Sequence, residues 1–435
     1  MRRILGISVI AVFAVLGWSA AAFSADDDED DLAELLRELA ALSPDDPAYQ
    51  AKLVEVLGAL FEVFLEMLAV DFELVEGPSP QTSYELQTSV LHTDWRPFVP
   101  PGGAVAYGDF DGDGDEDIFA PNLSLNADGT LSPVPVPVRI YANDGGRFSL
   151  ADWMFSGGIP KAVHPRKALT GDFNGDGKPD IFLVGHGYDA EPFPGEPPVL
   201  LLSSENGLRY VRDLADLDGY RVGFHHGAAS ADIDLDGDLD IFVTDSTHSS
   251  FFLMNDGEGV FAYDANLVPS ELRHPMDIYT SELIDVDDDG YPDLLTGGHE
   301  FDGMPTTIYW GDSSGSYGNW RKTTLPAVEG YGIVLDFDAE DLDGDGMQDI
   351  VVNRTGQDPF YAGYFLQIVA AVGERQFADE TVQRIPDGTD PDPWLLWVRL
   401  DDLNGDGYPD ILIDDPYKWG LHWLNDGDGH FTMGQ

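Results

Sequence analysis

From Ala104 onward, apolar positions fall in short runs that are cut at near-regular intervals by clusters of Asp, Asn and Gly. Ala104-Val105-Ala106-Tyr107 and Trp397-Val398-Arg399-Leu400 lead into two of these clusters. Ile118-Phe119, Ile181-Phe182, Ile241-Phe242, Leu294-Leu295, Ile350-Val351-Val352 and Ile411-Leu412 follow directly after six of them. Short apolar runs bounded by turn formers predict strands, so the local unit is strand, acidic loop, strand. Further along, Asn143-Asp144-Gly145, Asn255-Asp256-Gly257 and Asn425-Asp426-Gly427 each separate an apolar run from a following Phe. These predict a second tight hairpin, because such positions take positive φ. Two hairpins per unit make four strands in about sixty residues, the size of a propeller blade. A single blade cannot bury both its faces, so the repetition is itself a folding requirement.

The pattern upstream is different. Arg2 and Arg3 precede an apolar run from Ile4 to Leu16, and the small-residue stretch Ser19–Ala25 precedes an acidic run starting at Asp26. This reads as a cleaved signal peptide over 1–25, too short for a membrane span, and it predicts a periplasmic, cell-surface or extracellular location. No Cys follows it for lipidation, and no later segment reads as transmembrane. Residues 26–78 read as a helical segment. Leu32, Leu35, Leu36 and Leu39 recur at helical spacing, Ser43-Pro44-Asp45-Asp46 interrupts, and a second run extends from Leu53 to Leu68. Its apolar face is wide enough to pack on the main domain, on its own partner helix, or on another protein. Pro78-Ser79-Pro80 marks the boundary, and 79–435 is the repeat domain.

The six clusters share the frame Asp-x-(Asp/Asn)-x-Asp-Gly-x-x-Asp and begin at Asp109, Asp172, Asp232, Asp285, Asp341 and Asp402, with starts 53 to 63 residues apart. Their first, third and fifth positions are Asp109, Asp111 and Asp113; Asp172, Asn174 and Asp176; Asp232, Asp234 and Asp236; Asp285, Asp287 and Asp289; Asp341, Asp343 and Asp345; and Asp402, Asn404 and Asp406. Position 6 is Gly throughout. Position 7, offering its carbonyl, is Asp115, Lys178, Asp238, Tyr291, Met347 and Tyr408. Position 9 is Asp117, Asp180, Asp240, Asp293, Asp349 and Asp410. Hard oxygen donors in a curled loop suit Ca²⁺ rather than Zn²⁺ or Cu²⁺. An exposed acidic turn is the plain alternative, but six in-frame copies, each with its Gly and closing Asp, weigh against it. An EF-hand is excluded, since position 12 is Ala120, Leu183, Val243, Thr296, Val352 and Ile413 instead of Glu. Up to six calcium ions with a structural role are expected. Position 2 is apolar every time (Phe110, Phe173, Ile233, Val286, Leu342, Leu403) and is expected to anchor each loop between sheets.

Composition supports this picture. The formal charge is −58, from 80 acidic and 22 basic residues, which argues against nucleic acid or an anionic membrane surface as partner. With no Cys, disulfides and thiolate chemistry are excluded, and bound metal is the remaining staple for an exported chain.

At these loops, and at endings of the Asn-Asp-Gly-x-Gly-x-Phe type, the chain resembles the FG-GAP/VCBS repeat family, the bacterial relatives of the integrin α-subunit N-terminal propeller. The resemblance covers roughly Ala104 to Phe431. It implies an all-β propeller with Ca²⁺ held in hairpins on one face by the numbered loop residues. Integrin-like members have seven blades, whereas six loops are counted here and the last unit reads as complete. A seventh, degenerate blade would use Tyr84–Leu91.

No catalytic motif appears. His164, His225, His226 and His274 precede loops two to four, while His186, His248 and His299 follow them. They form either a pocket at one mouth of the channel or polar loops without further role. Glu282, Asp338 and Arg399, three residues before their loops, are placed to face the channel. Trp394 and Trp397 serve either blade packing or sugar stacking. Three functions follow: an extracellular binding or adhesion module for protein or glycan on one propeller face, a polysaccharide-lyase-like enzyme with histidines at its mouth, or an assembly component docked through the N-terminal helices. The first is favoured, because a propeller fold alone specifies no chemistry.

Overall fold

The computed structural model describes residues 104–434 except 127, 206, 212–221, 393 and 415–419. The chain divides into two units, Met1–Ser79 and Pro80–Gln435, and the account below concerns the second. The predicted signal peptide, N-terminal helices and Tyr84–Leu91 strand lie outside the described residues.

Each acidic loop turns the chain between the first two strands of one antiparallel sheet, and six such sheets follow one another. Blade 1 has strands Ala106–Gly108, Asp117–Phe119, Ile140–Asn143 and Phe148–Leu150. Blade 3 has Ala228–Ala231, Asp240–Val243, Phe251–Asn255 and Phe261–Asp264, and blade 6 has Trp397–Asp401, Asp410–Asp414, His422–Asn425 and Phe431–Met433. In these three the Asn-Asp-Gly element forms the turn between third and fourth strands, as predicted. Blade 2 starts at Pro165–Gly171 and Asp180–Gly185, blade 4 at Ile278–Ile284 and Asp293–Gly298, and blade 5 at Ile333–Glu340 and Asp349–Gln357. Blade 5 departs from the pattern in its third strand, Phe360–Gly373, which is 14 residues long and also pairs with Thr389–Asp390.

The first strands of neighbouring blades pack against each other around a central channel. The ring joins blade 6 to blade 1 there, where Arg399 lies 5.4 Å from the Tyr107 ring centroid. The chain is thus an all-β propeller with six blades among the described residues.

Alternation along each strand sends side chains to the two blade faces, and successive blades share their apolar residues. Phe110 joins blades 1 and 2. Phe173 joins blades 2 and 3, Ile233 joins 3 and 4, Val286 joins 4 and 5, and Leu342 joins 5 and 6. The position-2 anchor predicted from the repeat is therefore found in every seam between sequential blades.

Alternation also fills the channel. Glu282, Asp338 and Arg399 line it, with Lys167, Asp336 and Trp397, around a cavity of about 330 Å³. Lys167 and Asp336, five residues before their loops, were missed from the sequence. They follow from the period of two that brings positions three and five before a loop to the same face.

Candidate functional site

The six loops have one shared geometry. In each, the carboxylate at position 1 accepts the N–H groups of positions 5 and 6, as in Asp113 and Gly114 to Asp109 at 3.0 Å each. Asp289 and Gly290 donate likewise to Asp285 at 3.0 and 2.8 Å. The position-5 carboxylate accepts the N–H of position 7, at 2.9 Å in the first loop. Curling the chain this tightly requires a left-handed residue, and Gly114, at φ +97°, supplies it.

Position 9 has a second task that ligand spacing did not reveal. Its side chain is almost fully buried in every loop. One oxygen accepts the N–H that closes the third strand: Asn143 to Asp117 at 2.8 Å, Asn255 to Asp240 at 2.8 Å, Asn425 to Asp410 at 2.7 Å. The other accepts the N–H of position 2, at 2.9 Å in the first loop. The closing Asp therefore ties loop, anchor and third strand together, with further lone pairs left for a cation. Burial pushes the carboxyls of Asp240 and Asp293 up to about 7, and those of Asp117 and Asp349 up to about 6. Asp180 and Asp410 are also raised, chiefly by burial.

The donors fit a hard cation. Ligand oxygens of Asp109, Asp111 and Asp117 lie within 4.8 Å of one another, as do those of Asp232, Asp234 and Asp240, and of Asp285, Asp287 and Asp289. One of them, Asp287 Oδ1, is buried without a hydrogen-bond partner. Loops four and five also carry an arginine. Arg375 binds Asp287 and reaches Asp289 at 3.1 Å. Arg384 reaches Asp343 at 2.6 Å and Asp349 at 3.0 Å, replacing the position-2 amide on that carboxylate. Both come from blade 5 beyond its loop, at distances in sequence that no repeat frame indicates.

The other end of the first hairpins holds the histidines. His164 precedes the first strand of blade 2 and His186 follows its second; His226 and His299 hold the same stations in blades 3 and 4. Both stations lie a strand length from the acidic loops, at the opposite mouth of the channel. Ring centroids of His164 and His186 are 3.9 Å apart, and those of His186 and His226 are 4.9 Å apart. Tyr279 continues the row, 4.2 Å from His226 and 4.4 Å from His299. Of the remaining histidines, His225 is buried behind the row and His248 bonds Asp245 at 3.1 Å, while His274 is exposed and elsewhere.

These rings line a cavity of about 620 Å³ together with Arg166, Asp189, Phe224, Tyr361 and Trp394. Of the two tryptophans, Trp394 thus borders the mouth, whereas Trp397 faces the channel. Burial, helped by Arg166, lowers His164 to about 3 and holds His186 and His226 well below the usual imidazole range. Burial likewise raises the phenols of Tyr279 and Tyr361. These three imidazoles and two phenols are therefore neutral at ordinary pH, and the carboxylates Asp189 and Asp277 also border the mouth. Arg166 is its one buried cation among the described residues, and it makes no hydrogen bond or ion pair there; its Nε is buried without a partner. The Trp397 ring lies 5.7 Å from its guanidinium, whose charge also acts on His164, His186, His226 and Asp189. Arg166 was missed from the sequence: it stands two residues after His164, where the first strand of blade 2 begins and its register shifts between Pro165 and Lys167.

Among solved structures, the V. cholerae biofilm matrix protein Bap1 is 18% identical, with a TM-score of 0.37, covering 70% of this chain and 42% of Bap1. This chain thus spans less than half the length of that protein. A mutant of Aleuria aurantia lectin in complex with Fucalpha1-6GlcNAc is 11% identical, with a TM-score of 0.41, covering 77% of this chain and 97% of the lectin. No curated protein matches the chain. No helix among the described residues is long and apolar enough to cross a membrane. The FG-GAP-like repeat is matched three times, at residues 109–183, 232–296 and 285–352. With six blades in register with six loops, the chain is a six-bladed β-propeller among the described residues, and three stretches of it match the FG-GAP-like repeat.

Proposed function

We propose that this chain is an exported binding module that takes an acidic glycan in the histidine mouth, with calcium in the loops as a structural staple. The observation that carries the reading is the buried, unpaired guanidinium of Arg166 in a cavity walled by aromatic rings and neutral imidazoles. Buried charges are ordinarily paired, so a carboxylate or sulfate on the ligand supplies the missing partner. Aromatic faces and ring N–H groups suit the apolar and hydroxyl faces of a sugar. Binding to uronate- or sulfate-bearing oligosaccharides is expected to fall about tenfold or more in Arg166→Met, the loss of a charge-assisted pair. Preference for neutral sugars on a glycan array, or an unchanged Kd in the variant, would overturn it.

In the loops, calcium is expected to bind more weakly at sites four and five, where Arg375 and Arg384 already place a positive charge on the ligands. Calorimetric titration of Arg384→Met should show one site tightened; an unchanged isotherm contradicts this.

Convergence of the imidazoles also favours a second reading, a polysaccharide-lyase-like enzyme. A general base works best with a pKa near the operating pH. Lowered imidazoles and raised phenols are both badly matched to that task, which supports binding over catalysis. An assay for unsaturated oligosaccharide products separates the two.

A further inference from the structure

We propose that Asp277, His299 and Asp302 form a binding site for a divalent transition metal of the zinc class at the rim of the histidine mouth, separate from the acidic loops. His299 Nδ1 lies 3.6 Å from Asp277 Oδ2 and 3.6 Å from Asp302 Oδ2. These separations are too long for N–H···O hydrogen bonds. They match a different geometry: two ligands, each about 2.1 Å from a tetrahedral ion, stand about 3.4 Å apart. The gap between the three atoms is therefore the size of a cation. Both ring nitrogens of His299 are buried without a hydrogen-bond partner, and a metal on Nδ1 relieves that cost at the nitrogen facing the two carboxylates.

The frame is rigid. Asp277 immediately precedes the first strand of blade 4 and His299 immediately follows its second, and the His299 N–H donates to the Asp277 carbonyl at 3.1 Å. Asp302 ends the short 3-10 turn Glu300–Asp302, whose chain folds back so that the Asp302 N–H meets the His299 carbonyl at 3.0 Å. The imidazole is held by Tyr279 at 4.4 Å, by stacked Phe301 at 4.8 Å and by Phe360 at 5.6 Å. Its orientation is thus set before any ion arrives.

One nitrogen and two carboxylate oxygens select a transition metal over calcium, which wants six to eight oxygens. Asp277 and Asp302 are about half exposed, so water or a ligand group completes the sphere. A second set, His164, His186 and Asp189, also has ligand atoms within 4.8 Å of one another. Arg166 borders that set: burial lowers His164 and Arg166 lowers it further, while burial raises Asp189 against the pull of Arg166, and a metal there would face the guanidinium charge. His299 and Asp277 border the same cavity, so the metal titration is made without sugar and its outcome leaves the Arg166 reading untouched.

The test is a Zn²⁺ titration of the chelator-treated full chain in millimolar calcium, which occupies the acidic loops, with Co²⁺ absorption as a second readout. One zinc equivalent is expected, with affinity lowered about tenfold or more in Asp302→Asn and abolished in His299→Gln. Asp302 sits on an exposed turn, so its variant keeps the fold and isolates the ligand. His164→Gln is expected to bind as the parent does. Absence of zinc binding in calcium, or its loss in His164→Gln with retention in Asp302→Asn, overturns the assignment. Binding that is unchanged in Asp302→Asn and His299→Gln does so too, and leaves His299 as an imidazole between two carboxylates.

Discussion

Calcium is expected to raise the melting temperature of the chelator-treated protein, and the rise is expected to be larger at about pH 7.5 than at about pH 5. Each loop gathers several carboxylates, of which the closing one is buried and pushed upward, to about 7 in Asp240 and Asp293 and about 6 in Asp117 and Asp349. Their folded pKa values lie above the unfolded carboxylate range. Their contribution to stability is therefore full below about pH 4 and is lost as pH rises through about 6 to 7. The slope is at most about 1.4 kcal/mol per pH unit for each group. Calcium offsets this loss by neutralising the carboxylates at the pH where they ionise. The histidine mouth pulls the other way: His164, His186 and His226 are depressed, so their contribution is present above the unfolded imidazole pKa and is lost as pH falls below about 6.5. The two trends oppose each other between pH 4 and 6.5, so a plain pH–stability curve conceals both. The difference between calcium-loaded and calcium-free melts removes the histidine part, which is common to both. Scanning calorimetry with and without calcium at the two pH values reads this directly. A calcium-induced shift that is absent, or that shrinks as pH rises, contradicts the assignment of the loops.

The loops were legible because every requirement is local: a carboxylate or amide at alternate positions, a Gly where φ must be positive, an apolar residue at the root. The blade count was legible for the same reason, since each blade carries one loop. What lay outside the reading is non-local. The N–H that Asp117 accepts from Asn143 is 26 residues away, and Arg384 reaches a carboxylate 41 residues back. The stations of the histidines relative to their loops fixed which end of the hairpin they occupy. Their convergence depended on Phe224 and Tyr279 filling the spaces between them, and nothing in the spacing of His164, His186, His226 and His299 encodes that. Lys167 and Asp336 were readable in principle, as channel-facing positions two before those already assigned. They were missed because a Lys and an Asp so far apart in sequence give no sign of meeting until the ring closes.

Replacing Lys167 by methionine is expected to destabilise the propeller by about 3–5 kcal/mol at pH 8, the scale for removing one partner of a buried ion pair. Lys167 Nζ projects from blade 2 and reaches Glu282 of blade 4 at 3.0 Å and Asp336 of blade 5 at 3.3 Å, spanning the channel. Asp336 is buried, and its remaining bonds come from Thr280 Oγ1 at 2.9 Å and the Val398 N–H at 3.0 Å. Burial by itself would depress the Lys167 ammonium, but Asp336 and Glu282 together hold it above its ordinary range. Without it, two carboxylates would face each other in a channel with no other direct cation on either. Burial already raises both, and losing the lysine raises them further. A group raised in the fold stabilises at low pH and loses that contribution as pH rises, so the deficit of Lys167→Met should be larger at pH 8 than at pH 5. Adding Glu282→Gln removes one of the stranded charges and should recover a good part of the loss, because the penalty belongs to the unpaired carboxylate and not to the missing lysine. Urea midpoints of the parent, the single variant and the double variant at both pH values provide the measurement. If Lys167→Met stays within about 1 kcal/mol of the parent at pH 8, the value of an exposed pair, then the cluster is solvated and does not brace the blades across the ring.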